Sequence, residues 1–213
     1  MLMVGHVLPF FPEYRVARNV IESGQHGGLV NAFFKRVIAD PAWLSDYYVA
    51  DRIAGPLMDL HIHDAHFLRL IGGMPSRVYA DGRLFQEVVK YCYAIFGYDG
   101  REFCASSSSG TLDQPGRGFC HGFEIQLENA TLQFEYAALA SGDELMPLKL
   151  FMPDGEVQQL ACDSTDPLAA FVDELQEVIR SVAAGTVSPI LSGDLARDAV
   201  RICEAESESV RTG

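Results

Sequence analysis

The chain has 213 residues, enough for one large domain or for one domain and part of another. Hydrophobic residues make up 48% and charged residues 21%, an ordinary globular composition with ample apolar material for a core. The net charge of −13 argues against a general nucleic-acid or anionic-membrane binder, since both need a basic surface, but it leaves room for a small anionic ligand in a local pocket. The N-terminal MLMVGHVLPFF is apolar but short. It has neither a basic n-region nor a small-residue cleavage site, so it is not read as a signal peptide. Within it, LMVGHVL reads as a buried strand. Residues 11–24 read as a helix, with Pro12 near the first turn and Gly24 at the end. GLVNAFFKRVI reads as a strand rich in Val and Phe. Residues 40–53 form a loop carrying Trp43, Tyr47 and Tyr48, and residues 55–71 a helix closed by Gly72 and Gly73.

Strand signals follow. EVVKYCYAIFGY is one. In FCHGFEIQLENATLQFEY, Phe119, His121, Phe123, Ile125 and Leu127 share one face, while Gly122, Glu124 and Gln126 take the other. Leu132, Phe134 and Tyr136 alternate in the same way beyond a turn near Asn129. Such period-two alternation in neighbouring runs predicts an antiparallel hairpin with one buried face. SSSSG at 106–110 and QPGRG at 114–118 read as loops. A helix is expected from Asp166-Pro167 to Gly185, and another from about Ser192 to about Thr212. The sum is an α+β fold: about five to seven mostly antiparallel strands with helices on one face. The five cysteines are odd in number and scattered, which predicts free thiols in a reducing, cytoplasmic compartment. No run approaches the ~20 apolar residues of a membrane-spanning helix.

The segment GPLMDLHIHDAHFLRLIGG holds three of the six histidines. At ~100° per residue, His63 and His66 fall within about 40° of Asp59, a narrow polar stripe, while His61 and Asp64 lie off it. Three readings are open. The stripe is a proton-transfer site in which the carboxylate orients an imidazole. Or Asp59, His63 and His66 are the three ligands of an open metal site in a hydrolase or isomerase. Or they are polar residues of a helix surface that cap or bridge to neighbouring elements.

The segment GPLMDLHIHDAHFLRLIGGMPSRVYADG also resembles the substrate-domain helix of the glucose–fructose oxidoreductase/inositol dehydrogenase (Gfo/Idh/MocA) family, roughly G-G-x-x-x-D-x-x-x-H-D-x-D. Asp59 and His63 match the family's catalytic Asp and His, and Asp64 the acidic residue after the His. LMVGHVLPFFPEY, SGQHGGLVNAFFKR and ARDAVRICEAESESVRTG resemble flanking parts of the same family, so the similarity spans the chain. Pro56, His66 and Pro9 depart from it, where a second Gly, a second Asp and an Arg are usual. The resemblance implies an open-sheet, dihydrodipicolinate-reductase-like C-terminal domain, with residues 1–11 as the trailing strand of an absent dinucleotide-binding domain and 12–213 as the substrate-binding and oligomerisation domain. It implies NAD or NADP as cofactor and a sugar, cyclitol or related polyol as substrate. His63 would take a hydroxyl proton, with Asp59 orienting it. The chain has no G-x-G-x-x-G and no E-K-P, so none of its residues is expected to bind the nucleotide, and on this reading no metal is expected at the stripe. Without the nucleotide domain, a non-catalytic binding or dimerisation module is the alternative.

The resemblance places Lys35 and Arg36 near the cleft, where either could contact a substrate; an exposed strand end is the plainer reading. His66 could contact substrate from the stripe. His121 could do so from beneath the substrate, although a satisfied core histidine accounts for it equally. No role is assigned to His6. A homo-oligomer is expected through the sheet face, because EVVKYCYAIF carries apolar residues on both sides.

Overall fold

Alternation along GLVNAFFKRVI sets the two faces of the sheet. In the computed structural model, which describes residues 1–163 and 166–213, this run is β1 (Leu29–Ala39). Ala32 and Phe34 are buried toward the helices, whereas Phe33 and Lys35 point to the other side, which carries no helix. Seven further strands complete one sheet: β2 (Arg77–Phe85), β3 (Val88–Gly97), β4 (Cys104–Leu112), β5 (Arg117–Leu127), β6 (Ala130–Leu139), β7 (Gly142–Phe151) and β8 (Val157–Gln159). Their order is β2-β3-β4-β1-β5-β6-β7-β8, so β1 lies at the centre. Only the β1–β4 pair is parallel.

Four helices accompany the sheet: α1 (Pro12–Ser23), α2 (Ile62–Gly72), α3 (Pro167–Ala184) and α4 (Gly193–Thr212). The core lies between the helices and one sheet face. Tyr14 of α1 meets Phe67 of α2 edge-on at 5.2 Å and Phe123 of β5 at 4.9 Å. Such pairs add ~0.5–1.5 kcal/mol each beyond the area they bury. Both long C-terminal helices are capped: Asp166 accepts from Leu168 N at 2.9 Å, and Ser192 Oγ from Leu195 N at 3.3 Å. One face of α3 has no partner among the described residues. Leu168, Leu175, Ile179 and Val182 on it are each more than 60% exposed.

Two expectations are corrected. SSSSG is not a loop but the middle of β4. Serine's preference for turns is a weak prior, and here it is overridden by pairing on both edges, to β3 and to β1. The hydroxyls are satisfied in place: Ser109 Oγ donates to the Arg36 carbonyl at 3.0 Å, and Ser108 Oγ pairs with Tyr91 Oη at 2.7 Å. Nor does LMVGHVL form a strand. Met3 makes a single bridge to Ser192, and Val4 N donates to the Leu191 carbonyl at 3.0 Å. A strand needs a neighbouring edge, and only residues 191–193 offer one.

The chain enters the histidine-bearing segment through two left-handed residues, Ala54 (φ 60°) and Gly55 (φ 74°). A Cβ on Gly55 would stand 2.4 Å from Val88 Cγ1. Gly55→Ala is therefore expected to cost at least the ~1–3 kcal/mol of a strained backbone, with the clash adding to it. A urea midpoint equal to wild type would contradict this.

Candidate active site

The stretch after Gly55 begins with a π turn, Leu57–His61, and continues as α2. Ile62 N donates to the Leu57 carbonyl five residues back, which changes the phase of Asp59 and His61 relative to a uniform α-helix. Asp59 is exposed, and its electrostatic partner is the buried Tyr47 hydroxyl. Burial pushes the Tyr47 pKa up, and Asp59 pushes it further.

His63 is partly buried, and its Nδ1 is a buried atom with no hydrogen-bond partner among the described residues. Desolvation pushes its pKa down to about 3, with Arg36 and the neighbouring His6 and His66 acting in the same direction. No hydrogen bond joins Asp59 to His63 among the described residues. His66 is fully buried, with Nε2 2.9 Å from the Ile190 carbonyl and Nδ1 2.9 Å from His6 Nδ1. Burial lowers its pKa to about 4.

Below this cluster lies a buried ion pair. Arg36 Nε and Nη2 grip Asp64 Oδ2 and Oδ1 at 2.7 and 2.9 Å, and both side chains are almost fully buried. Arg36 Nη2 also reaches Tyr14 Oη at 3.5 Å, and His121 Nδ1 lies 3.3 Å from the same hydroxyl. The His121 ring stacks on Tyr14, and burial, followed by the Arg36 charge, lowers its pKa to about 3. His61 stands on the core side, with Nε2 3.0 Å from Glu206 of α4. Lys35 is on the opposite face of the sheet, in an ion pair with Glu135 at 2.8 Å. Thus His63 and His66 come together, Arg36 and His121 sit beneath them in the core, and Lys35 stands apart.

A profile of the GFO/IDH/MocA C-terminal domain matches residues 14–133. The chain belongs to the Gfo/Idh/MocA family. Solved structures share the fold at low identity. UDP-N-acetylglucosamine 3-dehydrogenase from Acidithiobacillus ferrooxidans aligns with 98% of this chain and 63% of its own length, at 16% identity and a TM-score of 0.71. Aldose–aldose oxidoreductase from Caulobacter crescentus, complexed with glycerol, aligns with 99% of this chain and 62% of its own, at 17% identity and a TM-score of 0.79. A levoglucosan dehydrogenase in complex with NADH and levoglucosan aligns with 98% and 64%, at 19% identity and a TM-score of 0.73. The chain thus spans under two thirds of these proteins. No curated protein matches it. As a Gfo/Idh/MocA domain, the chain carries two features that its sequence did not reveal. His6 joins the histidine cluster from a distant segment, and Glu206 backs His61. The 3.6-residue period of α4 puts Glu206 on the same face as the buried Ile202 and Cys203, a signal that could have flagged it.

Removing Asp64 would strand a buried guanidinium. Asp64→Ala is expected to cost ~3–5 kcal/mol, while Arg36→Met with Asp64→Leu should recover much of it. Paired urea titrations check this; a single variant no less stable than the double would contradict it. The histidines also give stability a pH dependence. His66 and His121 titrate in the fold well below the ordinary 6.5, so the stability they allow is complete above pH 6.5 and lost as pH falls toward their folded values. Each steepens the acid limb by about 1.4 kcal/mol per pH unit. His61 has the opposite sign: burial would lower its pKa, but Glu206 and then Asp64 raise it, so its contribution is complete below 6.5 and lost as pH rises through the raised value. Urea midpoints between pH 7 and 4.5 should therefore fall, and His121→Phe should flatten the slope; an unchanged slope in that variant would contradict the assignment.

Proposed function

We propose that this chain is the substrate-binding domain of an NAD(P)-dependent oxidoreductase acting on a sugar, cyclitol or related polyol. On this reading, residues 12–213 form the binding and oligomerisation domain and residues 1–11 lead in from a nucleotide domain. The observation that carries the reading is the His63 ring: its Nδ1 is buried without a partner, while its Nε2 makes no hydrogen bond and is not among the buried, unpartnered atoms of the described residues, so it faces accessible space. With the single ring proton on the buried Nδ1, Nε2 offers a free lone pair to a substrate hydroxyl. The lowered pKa keeps His63 neutral near pH 7, and a neutral imidazole can accept a hydroxyl proton. Asp59, one turn earlier, would stabilise the imidazolium once the ring turns toward it.

The chain's own residues do not fit a dinucleotide. G-x-G-x-x-G is absent, and the glycine-rich SGQHGG joins α1 to β1, so a helix and not a strand leads into it. NAD or NADP would be held outside these residues. The unpartnered apolar face of α3 is a surface that an adjoining domain would cover. The relatives that bind glycerol, levoglucosan and NADH support the substrate and cofactor classes. No helix among the described residues is long and apolar enough to cross a membrane. A cytoplasmic setting is part of the proposal.

In the protein expressed from its complete reading frame, His63→Ala is expected to slow hydride transfer by ~10²–10⁴-fold while leaving nucleotide binding intact. Asp59→Asn should act in the same direction with a smaller effect. Stopped-flow nicotinamide fluorescence measures both, and a wild-type rate in His63→Ala would remove the catalytic assignment. The helix-free sheet face exposes Tyr79, Tyr93 and Ile95 side by side, each more than half exposed. A second copy of the chain is expected to cover it. Light scattering should give twice the 23.4 kDa chain mass or more, and a clean monomer at micromolar concentration would count against this.

A further inference from the structure

His6 and His66 are 60 residues apart in sequence, yet their Nδ1 atoms stand 2.9 Å apart. The position of each proton follows from one carbonyl. His66 Nε2 is 2.9 Å from the oxygen of Ile190, which can only accept, so Nε2 carries the proton and donates. A neutral imidazole has a single ring proton, so His66 Nδ1 is an acceptor, and burial keeps this ring neutral. His6 must then donate from Nδ1, which leaves its Nε2 with a free lone pair. That Nε2 has no hydrogen bond and is not among the buried, unpartnered polar atoms of the described residues, so it faces accessible space. The His6 ring is edge-on to His63, with centroids 5.6 Å apart and planes at 74°.

The backbone fixes this arrangement twice. Ile190 holds the His66 ring through its carbonyl, and the next two residues hold the segment that bears His6: Val4 N donates to Leu191 O at 3.0 Å, and Met3 bridges Ser192. The ring of His6 is therefore oriented by a hydrogen-bond chain running Ile190 carbonyl, His66, His6. At its open end it presents an acceptor beside His63.

We propose that His6 is a second substrate-touching group of this site, accepting a hydroxyl hydrogen bond at Nε2, and that His66 is a positioning residue that fixes the His6 tautomer instead of touching substrate. The proposal rests on the polyol reading of the site. It narrows the ligand to compounds with two neighbouring hydroxyl groups, one for His63 and one for His6.

The test is ¹⁵N-resolved NMR of the histidine rings in this chain, first without ligand and then with glycerol, glucose and myo-inositol. Without ligand, the long-range couplings should show the proton on Nδ1 of His6 and on Nε2 of His66. An Nε2–H tautomer at His6 would overturn the proposal with no substrate needed. With ligand, the Nε2 resonance of His6 should move together with the resonances of His63, and His6→Ala should raise the dissociation constant about 3- to 10-fold, the loss of one neutral hydrogen bond. In His66→Leu, checked for folding by its melting transition, the His6 proton should distribute over both nitrogens. A His6 tautomer unchanged in that variant would show that His66 does not set it. If His63 responds to a polyol and His6 does not, the inference fails and the functional reading stands. If neither ring responds to any of the three compounds, both fail.

Discussion

The Arg36–Asp64 pair ties the central strand to the helix that carries the site. Two parallel hydrogen bonds fix the guanidinium of β1 against the carboxylate of α2, and Tyr14 of α1 closes the network from a third element. Both charges are out of water, so the pair is not chiefly a source of net stability; its alternative is a buried lone charge, which is far worse. What it supplies is register. Asp64 directly follows His63, so fixing Asp64 fixes the rotation of α2, and that in turn sets where His63 and His66 point. Burial first, and the Arg36 charge after it, keep both His63 and His121 neutral.

The hairpin of β5 and β6, the three long helices and the layer arrangement were legible because each carries a local signal: strict alternation, a cap, or a closing glycine. β4 was not, because its serines carry a turn preference and no alternation, and only two neighbouring strands make them a strand. The segment at residues 2–8 failed for the opposite reason. Its apolar run has strand character, yet strand structure is a property of pairs. The stripe reading of Asp59, His63 and His66 caught the two histidines that cluster, but a uniform 100° wheel has no place for the π turn, and it could not show His66 spending both nitrogens on protein atoms. Lys35 and Arg36 were read together as neighbours in sequence. Alternation in β1 sends them to opposite faces, one to an ion pair with Glu135 and the other into the core.

Several buried polar groups lie beneath the site. Arg36, Asp64, His61, His121 and Glu206 are all buried; Arg36 and Asp64 bond each other, while both ring nitrogens of His61 lack a hydrogen bond although Nε2 lies 3.0 Å from Glu206. The unpaired atoms, His61 Nδ1 and Nε2, Glu206 Oε2 and, nearby, His63 Nδ1, mark where the packing tolerates a cost. For His63 a functional account exists. For Glu206 Oε2 we have no physical account.

The position of β1 at the centre of the sheet has a consequence for how the chain folds. Its partners arrive late: Asn31 pairs with Cys104 on one edge and with Gln126 on the other. Each closure spans more than seventy residues, and neither can be replaced by a local turn. A topology of such high contact order folds on a scale of milliseconds to seconds, well behind its own helices. During synthesis this central strand is thus one whose two hydrogen-bonding edges stay open long after it is made, and its VNAFFKRV stretch is a point at which a nascent chain is exposed to pairing with another. Lys35 and Arg36, which the finished fold separates, stand side by side there as charges that disfavour such pairing.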